Sequence, residues 1–370
     1  MRLPLKLVDR LIAPFLGRPR TAPKGVLLVA AGGLGDTVLL LALIDRFLGL
    51  ARPDERVTLL LRSDAAKMGF LAPPGLEILA VDFKRLARDA WYRFRSQADL
   101  RRRGYRLAVS LDYLRHPDLD EALIRAAQAP ESAAMIARPW PKHQRALDAN
   151  QALFGRLFNS GPPRHDKALR WAAFADWLQD VRRDAPVLRL PDERLPAPDP
   201  FEAPTVMIQP FSAVAAKQIA PASWQAILDS LPADHRVRIL GAPSDLDRNP
   251  AYRALLDPVR VTFDSRPFQA LLPNLRAARL VISVDTALMH LAALSGAPTL
   301  GLASAAFVGE IVPYDPTIMP ANLRVLYQAM PCAGCLGDCR YPLEGGMYRC
   351  LAALEPNAMI AEIQAMLGVG

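Results

Sequence analysis

Short apolar runs alternate with helix-length amphipathic segments along almost the whole chain. In the first half the runs are GVLLVAA (25–31), VTLLLR (57–62), LEILAVD (76–82) and YRLAVSL (105–111). In the second half they are TVMIQP (205–210), VRIL (237–240), VRVTF (259–263), LVISV (280–284) and PTLGL (298–302). Near-continuous apolar runs of this length predict parallel strands buried on both faces and joined by crossover helices. Between the halves, LRLPDERLPAPDPFEAPT (188–205) carries five prolines after Leu190. Proline removes a backbone donor and resists both helix and central strand, so 191–204 is expected as a linker between domains at 1–190 and 205–370. The expected fold class is therefore α/β: two doubly wound Rossmann-like domains facing a cleft, with ligands beyond the carboxyl ends of the strands. A length of 370 residues agrees, since one hydrophobic core rarely serves so long a chain.

The first twenty residues, MRLPLKLVDRLIAPFLGRPR, place Leu5, Val8, Leu11, Ile12 and Phe15 at helical spacing among Arg2, Lys6, Arg10, Arg18 and Arg20. Such a segment either lies on an anionic membrane or packs on the first domain. Its charges interrupt the apolar run that a secretory signal needs, and no stretch reaches the ~20 apolar residues of a membrane span, so a cytoplasmic protein is expected. A formal charge of +8 and a pI near 9.5 imply an anionic partner. Nucleic acid is disfavoured, because zinc-finger, RNA-binding aromatic and basic-heptad signatures are all missing. The densest basic run, Lys84 to Arg106, reads either as a solvated helix face or as a surface for anions or membrane.

Chemistry is concentrated at three strand ends. After the first strand, AAGGLGDTVLLLALI (30–44) supplies turn-forming Gly32, Gly33 and Gly35 and then a helix start, a place for a phosphate or an acceptor path. It is not the G-x-G-x-x-G of dinucleotide binding, and the second strand ends in Arg62 where that fingerprint wants an acid, which disfavours a Rossmann oxidoreductase. Asp36 is the only ionisable side chain from Val26 to Ile44, and serves as a helix-start acid or as a general base. In LVISVDTALMHLAALSGAPTLGL (280–302) a buried strand delivers Asp285, and Thr286 is expected to cap a helix over 287–294 that Gly296 and Pro298 stop. Thr286 and His290, four apart, share a face near the helix N-terminus, suited to a diphosphate and a sugar hydroxyl or else to a cap and a core histidine. A carboxylate ending a buried strand is costly unless something binds it, which favours the first reading of Asp285. Lys217 stands in the loop after the strand TVMIQP, either solvated or neutralising a phosphate.

Three motifs together, GGLGD, Lys217 seven residues before Trp224, and DTALMHLAALSGAP, resemble those of glycosyltransferase family 9, the lipopolysaccharide heptosyltransferases, in the family's order across about 270 residues. The resemblance implies a GT-B fold and an inverting transfer from a nucleotide-diphosphate sugar such as ADP-heptose to a hydroxyl of a glycolipid or protein acceptor. It implies no catalytic cofactor, Asp36 and Lys217 as catalytic residues, and a donor site of Gly33, Gly35, Ser212, Lys217, Asp285, Thr286, Ala287 and His290. Two departures stand out: Ala287 where the family has glycine, and Ile219-Ala220-Pro221 where it has Trp-Pro. A catalytically silent sugar-nucleotide-binding or scaffold protein is the alternative.

All four cysteines fall in CAGCLGDCRYPLEGGMYRC: Cys332, Cys335, Cys339 and Cys350. In a cytoplasmic protein this spacing suggests a structural zinc or iron held by thiolates, the other reading being four reduced thiols. The acidic triplets Asp118 to Asp120 and Asp245 to Asp247 are expected as ordinary helix-start acids in polar surroundings, not as metal ligands.

Overall fold

The structure, a computed structural model, describes residues 4–19 and 22–369. Arg2 and Arg20 of the expected N-terminal basic set lie outside them. The chain forms two compact units. The first comprises the residues up to Pro163 with Ala168–Ala185; the second comprises Arg164–Lys167 and the chain from Pro186 onward.

In the first unit, β1 (Val26–Ala30), β2 (Val57–Arg62), β3 (Glu77–Val81), β4 (Leu107–Ser110), β5 (Glu131–Met135) and β6 (Arg156–Phe158) form a sheet of order β3-β2-β1-β4-β5-β6. Every pairing is parallel. Helices α1 (Leu5–Ile12), α2 (Leu34–Leu43), α3 (Ala90–Arg103), α4 (Asp120–Ala127) and α5 (Lys167–Leu178) accompany it. Strands β1, β2 and β4 are buried almost end to end, as their unbroken apolar runs require. Trp171 of α5 is buried and donates its indole N–H to the Leu111 carbonyl at 2.7 Å.

The second unit repeats the plan with β7 (Thr205–Gln209), β8 (Arg236–Leu240), β9 (Val261–Asp264), β10 (Leu280–Val284), β11 (Thr299–Leu302) and β12 (Leu323–Leu326). Their order is β12-β11-β10-β7-β8-β9, again all parallel. Helices α6 (Pro221–Ser230), α7 (Phe268–Ala277), α8 (Ala287–Leu294) and α9 (Pro356–Leu367) complete the unit as far as the site requires. Trp224, Ile227 and Leu228 of α6 and Met359 and Ile363 of α9 share a core with β7, β8 and β10.

Three strands were not among the expected runs. β5 (ESAAM) is built from small residues, β6 (RLF) has three residues at a sheet edge, and β12 (LRVL) is a four-residue edge strand. Such pieces are held by their neighbours more than by their own apolar signal. The proline-rich stretch 191–204 has little regular structure but is not loose. Asp199 N–H donates to the Pro273 carbonyl at 3.0 Å, and Asn274 returns its amide to Asp199 at 3.0 and 3.1 Å. Just before it, Leu188 and Leu190 are buried, and Leu190 N–H bonds the Leu294 carbonyl at 2.8 Å. Prolines forbid a ladder without forbidding packing.

No helix among the described residues is long and apolar enough to cross a membrane.

Candidate active site

In a doubly wound sheet the ligand position is where consecutive connections leave in opposite directions. In the second unit that point lies between β7 and β10. β7 continues to β8 on one side, and β10 continues to β11 on the other. The two strand ends meet there in charge: Lys217 Nζ lies 2.5 Å from Asp285 Oδ2, with side chains 13% and 7% exposed. The ammonium also stands 4.7 Å from the ring centre of Phe307, which follows β11. A paired, partly desolvated lysine over an aromatic face is a concentrated electrostatic feature at the strand ends.

The lysine is placed by its loop. Ser212 Oγ accepts the Val214 N–H at 3.2 Å, and the Gln218 side chain closes the loop on the Ser212 carbonyl at 3.0 Å. Lys217 N–H bonds the Val214 carbonyl at 2.9 Å, forming a short turn. The Lys217 loop is further braced by Tyr348 N–H on the Ala216 carbonyl at 2.9 Å.

Thr286 occupies the N-cap position of α8, but its hydroxyl makes no capping bond and faces Ser283 Oγ at 3.3 Å. This corrects the expected side-chain cap. The first N–H groups of α8, beginning at Ala287, do not donate to the Thr286 side chain, and the positive end of the helix follows directly on Asp285, the partner of Lys217. One turn further, His290 is buried and its Nδ1 is hydrogen-bonded to the Tyr314 hydroxyl, with the rings stacked 5.6 Å apart. Burial, with smaller contributions from Asp166 and Asp285, pushes the Tyr314 phenol well above its ordinary value, so it stays neutral beneath the site.

The matching point in the first unit lies between β1 and β4. Asp36, in the first turn of α2, accepts the Gly33 N–H on Oδ2 at 2.8 Å, and Thr37 Oγ1 donates to the Gly33 carbonyl at 3.0 Å. Gly33 is the N-cap, and Gly35 lies in the first turn. Gly32 is required here: a Cβ on it would fall 2.6 Å from Asp36 Cβ and 2.9 Å from Asp36 Oδ2. The carboxylate thus folds back over a turn that only glycine leaves open. Opposite it, Asp112 beyond β4 is 6% exposed, and its Oδ2 accepts the Ala31 N–H at 2.5 Å. Sequence reading missed Asp112. The signal was present, because LAVSLD repeats the pattern of LVISVD, an apolar strand ending in one acid. Tyr314 was also missed, and twenty-four residues of separation from His290 left no local sign of it.

The acidic triplets behave differently from each other. Asp245 is a helix-start acid, accepting the Ala242 N–H at 2.7 Å, and Asp247 pairs with Arg253 at 2.6 Å. Asp120 begins α4, as expected, but it is buried rather than solvated: its Oδ1 accepts the His116 N–H at 2.8 Å, and Asp112 and Glu121 are close enough to act on its charge. Burial, and secondarily Asp112, raises its pKa well above the ordinary aspartate value.

Among the described residues no group of three or more His, Cys, Asp or Glu side chains is placed to hold a metal ion. All four thiols are free; Cys350 is buried and accepts the Ala305 N–H at 3.3 Å, while Cys332, Cys335 and Cys339 are half-buried. They remain neighbours: burial first, then the charge of nearby cysteines, pushes the thiols of Cys332 and Cys350 up. The loop they occupy braces the segment after β11, with Gly334 N–H on the Ala305 carbonyl at 2.8 Å and Leu336 N–H on the Ala306 carbonyl at 2.7 Å.

Against solved structures, the chain is similar to a glycosyltransferase family 9 protein from Veillonella parvula DSM 2008 (TM-score 0.68, 14% identity, 94% of this chain and 97% of that one). It is similar to the E. coli heptosyltransferase WaaC with ADP-2-deoxy-2-fluoro heptose (TM-score 0.66, 17% identity, 92% and 99%). It is also similar to the iron-containing dodecameric glycosyltransferase TibC of enterotoxigenic E. coli H10407 (TM-score 0.53, 16% identity, 94% and 77%). At these identities the likeness speaks to the fold, which is that of the heptosyltransferase structures. A search of curated proteins gives no significant match. The sequence model of glycosyltransferase family 9 (heptosyltransferase) matches residues 138–335, more than half of the chain and the whole span from Lys217 to His290. With the GT-B fold and that match together, the chain belongs to glycosyltransferase family 9, the heptosyltransferases, and is a glycosyltransferase.

Proposed function

We propose that the protein transfers a heptose from a nucleotide-diphosphate donor of the ADP-heptose type to a hydroxyl of a cell-envelope glycolipid, with inversion at the anomeric carbon. The observation that carries this reading is the Lys217–Asp285 pair at the β7/β10 switch point, beside the N-terminus of α8. A diphosphate arriving there meets Lys217 and the first N–H groups of α8, and Asp285, freed from the ammonium, can accept hydrogen bonds from donor hydroxyls. Ser212, Ala287 and His290 line or support the same donor site. The solved WaaC and TibC structures contain ADP-linked heptoses, which supports the donor class.

In the step we assign, Asp36 takes the proton of the acceptor hydroxyl while that oxygen bonds to the anomeric carbon. The bond from the anomeric carbon to the diphosphate oxygen breaks, and its electron pair leaves with the diphosphate. Lys217 and the α8 N-terminus stabilise the charge that grows on the leaving group. A single displacement of this kind inverts the centre. In this reading residues 1–190 act as the acceptor-side domain and 205–370 as the nucleotide-sugar domain, at the cytoplasmic face of a membrane.

The four cysteines are read as ligands of one structural zinc or iron, for which thiolates are suitable donors. As placed they are not within reach of one ion, so the loop over 332–350 would have to close, and no catalytic step is assigned to it. Elemental analysis of protein purified without chelator should find about one ion per chain; a content near zero with four reactive thiols overturns the assignment.

The deciding experiment for the function titrates the protein with ADP, UDP, GDP and NAD and assays transfer from ADP-heptose to a delipidated acceptor glycan, reading the product anomer by NMR. ADP should bind tightest and transfer should invert. Binding of ADP with no transfer to any acceptor glycan favours the silent scaffold; retention of the anomer removes the proposed step.

A further inference from the structure

Helix α1 has two apolar faces, and the first unit uses one of them. Leu5, Val8 and Ile12 are half-buried and Leu16 is buried. On the same side, Asp9 receives Arg93 of α3 through two N–H groups, each at 2.6 Å, and Gln97 at 2.7 Å. The Arg93 side chain is 1% exposed and also donates to the Leu86 and Asp118 carbonyls, so α1 is fastened to α3 by a satisfied, inward-facing ion pair. The expected alternatives for this segment are thereby joined: it packs on the first unit and still presents a second apolar stripe.

That stripe is Leu7 and Leu11 of α1, continued by Phe15 at the end of the 3-10 turn Ala13–Phe15; the three are 40%, 57% and 73% exposed. Single exposed leucines need no explanation, but three large apolar side chains exposed within nine residues of one helix and the turn that follows it do. Lys6 and Arg10 run along the border of the stripe, and Arg18 follows it; all three are exposed. Asp9 is the only acid in residues 4–19, and Arg93 neutralises it on the inner side. The outer face therefore shows only positive charge. On α3, Trp91 is 65% exposed and stacks on Phe94 at 5.4 Å; Arg95 and Arg102 of the same helix, and Arg88 just before it, are exposed as well.

We propose that the outer face of α1, with Phe15 just beyond it, docks the protein on an anionic lipid bilayer. Leu7, Leu11 and Phe15 enter the headgroup boundary, and Lys6, Arg10 and Arg18 meet the anionic headgroups. A second copy of the chain is a poorer occupant, because a self-complementary contact would set this basic face against itself. The inference takes from the proposed function only that the acceptor is lipid-borne; docking would hold the acceptor-side unit at the surface where such an acceptor is found.

The test is sedimentation of the full chain with vesicles of phosphatidylethanolamine and phosphatidylglycerol, and with vesicles of phosphatidylcholine alone. The protein should partition at least about tenfold better onto the anionic vesicles and lose that preference at high salt. Removing Lys6 and Arg10 together (Lys6→Ala, Arg10→Ala) should lower partitioning by about fivefold per residue. The pair Leu11→Ser, Phe15→Ser should lower it at least about tenfold. Both pairs should keep wild-type melting and wild-type transfer to a delipidated acceptor. Equal binding to the two vesicle types, or variants that bind like the parent, overturns the proposal; so does a concentration-dependent dimer that these variants abolish without any change in vesicle binding. A parent that docks as expected yet transfers nothing to the delipidated acceptor leaves the docking surface standing and sinks the transferase reading.

Discussion

The two switch points share a plan and differ in chemistry. Between β1 and β4 two carboxylates are held by backbone N–H groups, Asp36 by Gly33 and Asp112 by Ala31. Between β7 and β10 a carboxylate holds an ammonium at 2.5 Å, and a helix start lies beside it. A hydrogen-bonded carboxylate can take a proton and return it. A lysine lent to an aspartate can be drawn away by a better anion. In the proposed reading, one frame used twice serves as a proton acceptor in one unit and an anion receiver in the other, and the strand-end side chains, not the fold, set the difference.

The largest expected effect breaks the first half of this comparison. Asp36→Asn keeps an oxygen for the Gly33 N–H but cannot take a proton, so turnover should fall by roughly 10²-fold or more while melting and ADP affinity hold. Transfer kinetics beside calorimetric titration decide it; wild-type turnover in the folded variant ends the assignment of Asp36 as base.

Next comes the ion pair. Lys217→Ala removes the cation from the donor site and leaves Asp285 buried without it. ADP-heptose should bind about 10-fold or more weaker, and the second unit should lose about 1–3 kcal/mol. Lys217→Met combined with Asp285→Asn should recover stability without recovering binding, a non-additivity that a double-mutant cycle reads directly. Full recovery of both would mean that the pair is structural only.

Asp112 sharpens the comparison from the other side. Asp112→Ala frees the Ala31 N–H and with it the turn that carries Asp36, and turnover should drop about 10-fold at unchanged donor affinity. Asp112→Asn, which still offers an oxygen to Ala31, should restore most of the loss. In an Asp36→Asn background the alanine change should add little; a full further tenfold loss there would mean that Asp112 acts on its own.

These residues also show what the chain declares locally and what it does not. Buried strands such as VTLLLR and LVISV announce themselves, since both faces must be apolar, and the acid or lysine at their ends is conspicuous for the same reason. Asp36, Lys217 and Asp285 were legible in this way. Thr286 looked like a cap because Ser or Thr before an apolar helix usually is one, but the Ser283 hydroxyl competes for it. Strands β5, β6 and β12 and the Tyr314 contact with His290 exist only through long-range packing, which no short window records.

The smallest effect concerns Asp120, which sits beneath the β1/β4 point. Its Oδ1 accepts the His116 N–H at 2.8 Å, and its Oδ2 is buried without a hydrogen bond. Because the folded pKa is raised well above the ordinary aspartate value, the acid is neutral in the fold at pH values where the unfolded chain ionises it. The sign follows: the stability tied to its neutral form is fully present below about pH 4 and is lost as pH climbs toward the raised folded value. Asp120→Asn mimics the neutral acid without that dependence. The variant should therefore melt higher than the parent at pH 7, by the equivalent of about 1 kcal/mol, and the gap should close as pH falls to about 4. Asp112→Asn should shrink the gap, because the Asp112 charge is the second cause of the shift. Melting curves of the three proteins from acid to neutral pH test this. A variant that melts below the parent by the same margin at every pH would show that Asp120 is ionised in the fold, and that the β1/β4 point carries a third charged carboxylate.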